Sequence, residues 1–510
     1  MSVEHGVKVD RRTFCLSSMA ASMLAVAVGE KSMASTGAGD ASALALDFAK
    51  AKRDDPRLIA FDNAVALDVV QPRIEGNIPS GLEGSFFRNG PALFERLGVR
   101  YRHWFDGDGL LQRWTIGGAG VQYHSRFVGT RKHRLEEEAG KFLLPTSGGG
   151  MPLLASATGA DSVNPSNTSV IAVNGEMWAL WEGGSPFRVT PNELESRGYV
   201  DLGDAAKGAP FSAHPRVGAD GRMWNIGSLG SRVILYRLDR FGKLEHLKVQ
   251  PLGQEGYYHD FLLTQRSIVL VQCSTASDGK SSIENGTFGS IRGVSGKPMR
   301  VHVFDRETFE LVRQAELPGG FAFHFGNGWE EADGTICFDI CHDANGDAML
   351  EFFKPMRGAF PNWQAGSYRV TLPKTGAARF ERLHARVEFP KVNPKFDTIR
   401  NRYVYASCIN DPARTDWFDS VVKLDLESGK SQTFHYGADW MVEEHVFVPK
   451  AGALKEDDGW LVGTALNWKT QQSALTIFDA SRPERKFLAR AWLDSPVPLG
   501  LHGTFVGVTT

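Results

Sequence analysis

Four histidines stand in similar local settings along this chain: Phe-Ser-Ala-His214-Pro, Tyr-Tyr-His259-Asp-Phe, Phe-Ala-Phe-His324-Phe-Gly-Asn and Leu-Gly-Leu-His502-Gly-Thr-Phe. Each sits beside turn or strand-end residues. Neutral imidazole is the commonest metal ligand among side chains, and several converging on one point can hold a transition-metal ion. The four are spread from position 214 to position 502, so proximity along the chain says nothing about a shared site. Taken singly, each histidine is more often a satisfied core residue than a ligand. The metal reading needs all four together, and a fold that brings distant segments to one place.

From about residue 60 onward the strand signals dominate. Ser169-Val-Ile-Ala-Val-Asn-Gly-Glu-Met-Trp-Ala-Leu-Trp181 reads as two short strands about an Asn-Gly turn, the strongest local hairpin signal. Alternating strands recur at Arg232–Leu238, Met299–Asp305, Gly366–Leu372, Ser420–Leu426 and Gly459–Ala465, several ending in phrases such as Phe-Asp-Arg-Glu-Thr or Leu-Asp-Leu-Glu-Ser-Gly-Lys. Strand pairs repeating every ~45–60 residues indicate propeller blades, whose inner strands converge on an axis where one histidine from each of several blades can meet. Helical pattern is scarce; Pro191-Asn-Glu-Leu-Glu-Ser-Arg-Gly is one short candidate. No convincing linker divides residues 59–510, which read as a single domain.

Composition narrows the function classes. A net charge of -2 gives no electrostatic case for nucleic acid, and 55 glycines fit many tight turns. Cys337 and Cys341 cannot share one ion in an extended strand, where four positions span roughly 13 Å. With Cys273 and Cys408 they read as small core residues, a disulfide remaining open. Residues 1–35 read as a secretory leader: Arg11-Arg12 precede Phe14, an apolar stretch runs to about Gly29, and small residues follow. The paired arginines resemble a twin-arginine signal, which exports folded proteins and implies a bacterial, periplasmic protein. Residues 36–58 read as a flexible arm.

The stretch Gly81-Leu-Glu-Gly-Ser-Phe-Phe-Arg-Asn-Gly-Pro-Ala92 and then His103-Trp-Phe-Asp-Gly-Asp-Gly109 resemble the opening of the carotenoid cleavage oxygenases. So do Trp181-Glu-Gly-Gly-Ser-Pro-Phe187, Ser212-Ala-His-Pro215, Tyr258-His-Asp-Phe261, Glu388-Phe-Pro390, Glu444-His-Val-Phe-Val-Pro449 and Gly500-Leu-His-Gly503, in family order. The resemblance implies an all-β, seven-bladed propeller capped by loops and short helices over the metal-bearing face. It implies one Fe(II) per chain on His214, His259, His324 and His502, with Glu182, Glu388 and Glu444 behind three of them. A ligating histidine usually gives its other N–H to a carboxylate, which fixes the tautomer. Asp106-Gly-Asp108-Gly lacks the later oxygen ligands of a calcium loop and reads as a tight turn.

Four histidines would close a tetrahedral zinc site, whereas an octahedral iron keeps two positions open. The implied reaction adds both atoms of O₂ across one alkene and yields two carbonyl products, in a dry apolar tunnel to which Tyr257-Tyr258, Phe321-Ala-Phe323 and Phe352-Phe353 can contribute. A carotenoid or apocarotenoid leads as substrate, and carotenoid-type members often approach membranes through an apolar patch. Stilbene-cleaving members use a tyrosine and a lysine near the substrate phenol, and Tyr101 and Lys132 resemble that pair. The competing class is a periplasmic propeller that only binds a ligand and needs no metal.

Overall fold

The structure, a computed structural model, describes residues 8–9, 37–146, 149, 151, 153–277, 286–362 and 364–508. The twin-arginine-like segment lies outside the described residues. The repeating strand pairs are halves of four-stranded antiparallel units, and seven sheets built on such units, two of them carrying a fifth strand, form the blades of a propeller. Blade 1 joins Gly84–Pro91, Gly109–Gly117 and Gly120–Phe127 to the C-terminal strand His502–Gly507, which lies innermost and closes the ring. Blades 2 to 6 begin on their innermost strands Ser169–Val173, Arg216–Val217, Phe261–Leu263, Phe321–Glu330 and Val387–Lys391. Blade 7 begins on Trp440–Pro449 and carries the early strand Arg73–Gly76 at its outer edge, a second tie between the two ends of the domain.

Local chemistry explains the turns. In the Ser169–Leu180 hairpin, Asn174 and Gly175 have φ of 49° and 80°, the left-handed pair that a two-residue turn demands. The expected short helix at 191–198 is not formed: Leu194 turns left-handed (φ 56°), and Ser196–Tyr199 instead becomes the outer strand of blade 2. Segment 36–58, expected to be a loose arm, is for the most part a helix, Gly37–Asp54. Ala41, Leu44, Ala45 and Phe48 repeat at i, i+3, i+4 and i+7 and are all buried, and the Arg100 guanidinium lies 3.4 Å from the Phe48 ring centroid. A second helix, Arg131–Ala139, is capped by the Thr130 side chain, which accepts from His133 N, and ends at Gly140 with φ 64°. No helix among the described residues is long and apolar enough to cross a membrane.

The blades pack face to face on alternating apolar residues, and the largest core cluster runs from Phe48 and Phe61 through blades 4 to 7. Cys273, Cys337, Cys341 and Cys408 are buried and free, as small core residues should be.

Candidate metal centre

Each blade delivers one functional side chain to the axis, or one behind it. His214 precedes the inner strand of blade 3, His259 that of blade 4, His324 lies within that of blade 5, and His502 opens that of blade 1. Their ring nitrogens all lie within 4.8 Å of one another. The carboxylates come from the remaining three blades: Glu182 just after the second strand of blade 2, Glu388 in blade 6 and Glu444 in blade 7.

A regular pleat sends side chains to the two faces of a blade, not to its edge. The inner strands break that pattern where function requires. The register slips between Ala322 and Phe325 around His324, between Glu388 and Lys391, and between Val442 and His445 around Glu444. Such bulges re-aim a side chain. In blade 6 the bulge places Phe389 at φ 59°, a left-handed strain that typically costs about 1–3 kcal/mol.

The three carboxylates hold three of the histidines. Nδ1 of His259 lies 2.6 Å from Glu182, Nδ1 of His324 2.6 Å from Glu388, and Nδ1 of His502 2.9 Å from Glu444. No carboxylate lies behind His214 among the described residues. Glu443, next to Glu444 in the chain, points elsewhere. Its Oε1 accepts from Arg88 Nε (2.9 Å) and from Gly500 N (2.6 Å), pinning the chain two residues ahead of His502. Gly90 is needed here too: a Cβ on it would lie 2.3 Å from the Gly500 Cα.

The remaining ring nitrogens test whether a metal fits. His214 Nε2 and His259 Nε2 are 2.8 Å apart, and His324 Nε2 and His502 Nε2 are 3.1 Å apart. With Nδ1–H given to the carboxylates, His324 and His502 face each other lone pair to lone pair. That is repulsive unless a cation sits among them. Protonating the rings is no remedy: burial, aided by His259 for His324 and by His324 for His502, pushes both rings down to about 3. Burial also raises Glu388 to about 8. A divalent ion on His324 reverses that balance by favouring carboxylate and Nδ1–H. Glu444 is already held low; burial opposes ionisation, but Lys391 Nζ at 2.9 Å and His502 outweigh it. The donor set therefore fits a divalent transition metal bound by neutral nitrogen.

Above the tetrad is an apolar cavity. His259, His324 and His502 form its floor, and Trp104, Trp181, Phe288, Phe352, Phe389 and Trp417 line its walls. Of the aromatic segments singled out in sequence, Tyr257, Phe323 and Phe352 reach the cavity. Tyr258 turns away and donates to Arg232 O at 2.7 Å. The His103-Trp-Phe-Asp turn forms part of the roof: His103 Nδ1 accepts from Phe105 N, and Trp104 N donates to Phe352 O. Tyr257 was read only as a wall residue, but its hydroxyl also donates to Glu182 and lies 3.1 Å from His259 Nδ1.

Tyr101 and Lys132 require a correction. They are brought together, with Lys132 Nζ 4.8 Å from the Tyr101 ring centroid, but neither lines the cavity and both are fully buried. Lys132 Nζ donates to Asp108 (2.7 Å) and Glu136 (3.0 Å), and the Tyr101 hydroxyl donates to Glu136 (3.1 Å). A lysine saturated by two carboxylates cannot stabilise a substrate phenolate. The pair anchors helix Arg131–Ala139 to the turn at Asp108.

The same architecture recurs in known proteins. The family model for RPE65, retinal pigment epithelial membrane protein, matches residues 62–507. The apocarotenoid-15,15'-oxygenase of Synechocystis is 31% identical over 85% of this chain and 92% of its own length. Resveratrol cleavage oxygenase 1 of Aspergillus fumigatus is 24% identical over 86% of this chain and 92% of its own. The crystal structure of the cobalt-substituted Synechocystis enzyme superposes with a TM-score of 0.79 at 28% identity, covering 89% of this chain and 99% of that one. On fold, site and sequence together, the chain belongs to the RPE65 family of carotenoid cleavage oxygenases.

Proposed function

We propose that this protein is an Fe(II) dioxygenase that cleaves one carbon–carbon double bond of a carotenoid or apocarotenoid. The observation that carries the reading is the cluster of four mutually facing imidazole nitrogens, three of whose rings form the floor of an aromatic-walled cavity. Bound iron, one per chain, supplies the redox chemistry that activates O₂. The balance is simple: the alkene σ and π bonds break, each carbon gains one oxygen atom of O₂, and no external reductant is consumed.

The chain's own residues bind, orient and keep dry. His214, His259, His324 and His502 hold the metal, and Glu182, Glu388 and Glu444 fix three ring orientations. Trp104, Phe323, Phe352 and Phe389 offer ring faces and edges to a flat polyene and fix which double bond lies over the tetrad. The walls exclude water, so a reactive centre is not quenched. No general acid or base is required of them.

Burial of Lys132 and Tyr101 in their own charge cluster favours a polyene over a hydroxystilbene. The test is O₂ consumption by the iron-loaded protein with an apocarotenal and, separately, a hydroxystilbene. Two carbonyl products and a higher kcat/KM for the apocarotenal are expected; preference for the stilbene would reverse the substrate assignment. No turnover of either, with iron bound, would leave a ligand-binding propeller as the better account. The Arg11-Arg12 leader supports export of the folded chain to the periplasm, tested by fractionating cells that express an Arg11→Lys, Arg12→Lys variant.

A further inference from the structure

The tetrad forms a septum between two dissimilar spaces. The apolar cavity lies on one side. On the other lies a more polar, more open hollow, which His324 and His502 also border. His214 borders only this second space, is the least buried of the four, and has no carboxylate behind it. The hollow runs past Arg216, Asp260, Lys391, Asp397 and Thr504 to the exposed Pro394. Arg216 forks onto both Asp260 oxygens at 2.9 and 2.7 Å, and Lys391 pairs with Glu444. Three carboxylates therefore face two cations along its wall.

A hydrated dication loses solvation wherever it meets apolar surface, and only polar groups replace that loss. The aromatic cavity offers almost none. From this contrast we propose that the polar hollow is the loading path of the metal, with His214 the first imidazole the incoming ion meets. The inference rests on the metal-centre reading. It assigns the two faces of the tetrad separate traffic: the metal through the polar side, substrate through the apolar side. A histidine without a carboxylate suits the first role, since its ring is held by fewer contacts.

The experiment follows Co²⁺ uptake by metal-free protein, reading visible ligand-field absorption against time and metal content of the desalted protein at the end. Thr504→Arg narrows the hollow and adds a repelling charge; Asp397→Asn removes a carboxylate from its wall and guards against a folding failure of the first variant. Thr504→Arg is expected to slow uptake at least about tenfold and Asp397→Asn to slow it less, with final stoichiometry unchanged. Filling the apolar cavity with a saturated long-chain alcohol, at a concentration that saturates the shift in tryptophan emission, is expected to leave the rate unchanged. Wild-type rates in both variants, or uptake blocked by the alcohol, overturn the loading path while leaving the metal centre intact. No Co²⁺ bound by the wild type at equilibrium overturns both.

Discussion

Replacing Glu388 by Gln tests how far the carboxylates behind the histidines set metal affinity. The Glu388 side chain is 0% exposed, and its Oε2 lies 2.6 Å from His324 Nδ1 and 3.0 Å from Phe389 N. Gln keeps an acceptor for both donors, so the ring stays in place. It removes the negative charge that raises the basicity of the ligating nitrogen. Loss of such a partner typically weakens metal binding 10–100-fold, or about 1.4–2.8 kcal/mol. Complete burial argues for the upper part of that range. The Glu182 side chain is 19% exposed and Tyr257 also faces His259, so Glu182→Gln should fall in the lower part. The assay is competition of Fe²⁺ or Co²⁺ against a fluorescent chelator, with circular dichroism to check the fold. Wild-type affinity in Glu388→Gln, or a larger loss in Glu182→Gln, would refute the reasoning.

Lys132→Met removes the ammonium that buried Asp108 and Glu136 share, leaving Asp108 with His133 and Arg96 and Glu136 with neutral donors alone, and should cost about 3 kcal/mol in urea unfolding. The residual activity of its folded fraction should keep the wild-type substrate preference; selective loss of hydroxystilbene turnover would restore Lys132 as a phenol contact. Asp108 also predicts a pH dependence. Burial opposes its ionisation, but Lys132 and His133 hold its pKa below the ordinary 3.8. Its stabilisation is therefore present above that value and lost as pH falls through the folded pKa. The urea midpoint of the wild type should drop more steeply below pH 4 than that of Asp108→Asn, and parallel curves would contradict this. Arg88→Met strands Glu443 and releases its hold on Gly500 and Leu501, so both stability (about 3–5 kcal/mol) and metal affinity should fall. Loss of stability alone would show that the pair does not position His502.

The cluster of four histidines was legible because each sits in a short, ordered motif. Asn174-Gly175 carries its own turn chemistry, and His214, His259, His324 and His502 stand in recognisable contexts. The adjacent Glu443 and Glu444 face different partners, His502 for Glu444 and Arg88 for Glu443, which their position in the motif alone does not show. The bulges at His324, Glu388 and Glu444 were hidden, since a register slip depends on the partner strand. Tyr101 and Lys132 misled for a related reason: local sequence shows a cation beside a phenol, but Glu136 and Asp108 capture that cation only once the fold is closed. The helix Gly37–Asp54 could have been found. Its Ala41, Leu44, Ala45 and Phe48 repeat is a plain helical stripe, masked by the small-residue composition around it. Strand Ser196–Tyr199 could not, because the polar Glu-Leu-Glu run favours a helix until blade 2 supplies its edge.

The most direct test of the central claim is a titration of metal-free protein with Fe(II) under anaerobic conditions, in which each loaded sample is then mixed with air-saturated buffer and apocarotenal, and cleavage and O₂ consumption are read. Both should rise together and break at one iron per chain, with one O₂ consumed per alkene cleaved, and both should be absent from His324→Ala. Activity independent of added iron, or iron bound at one per chain with no O₂ consumed, would contradict the account.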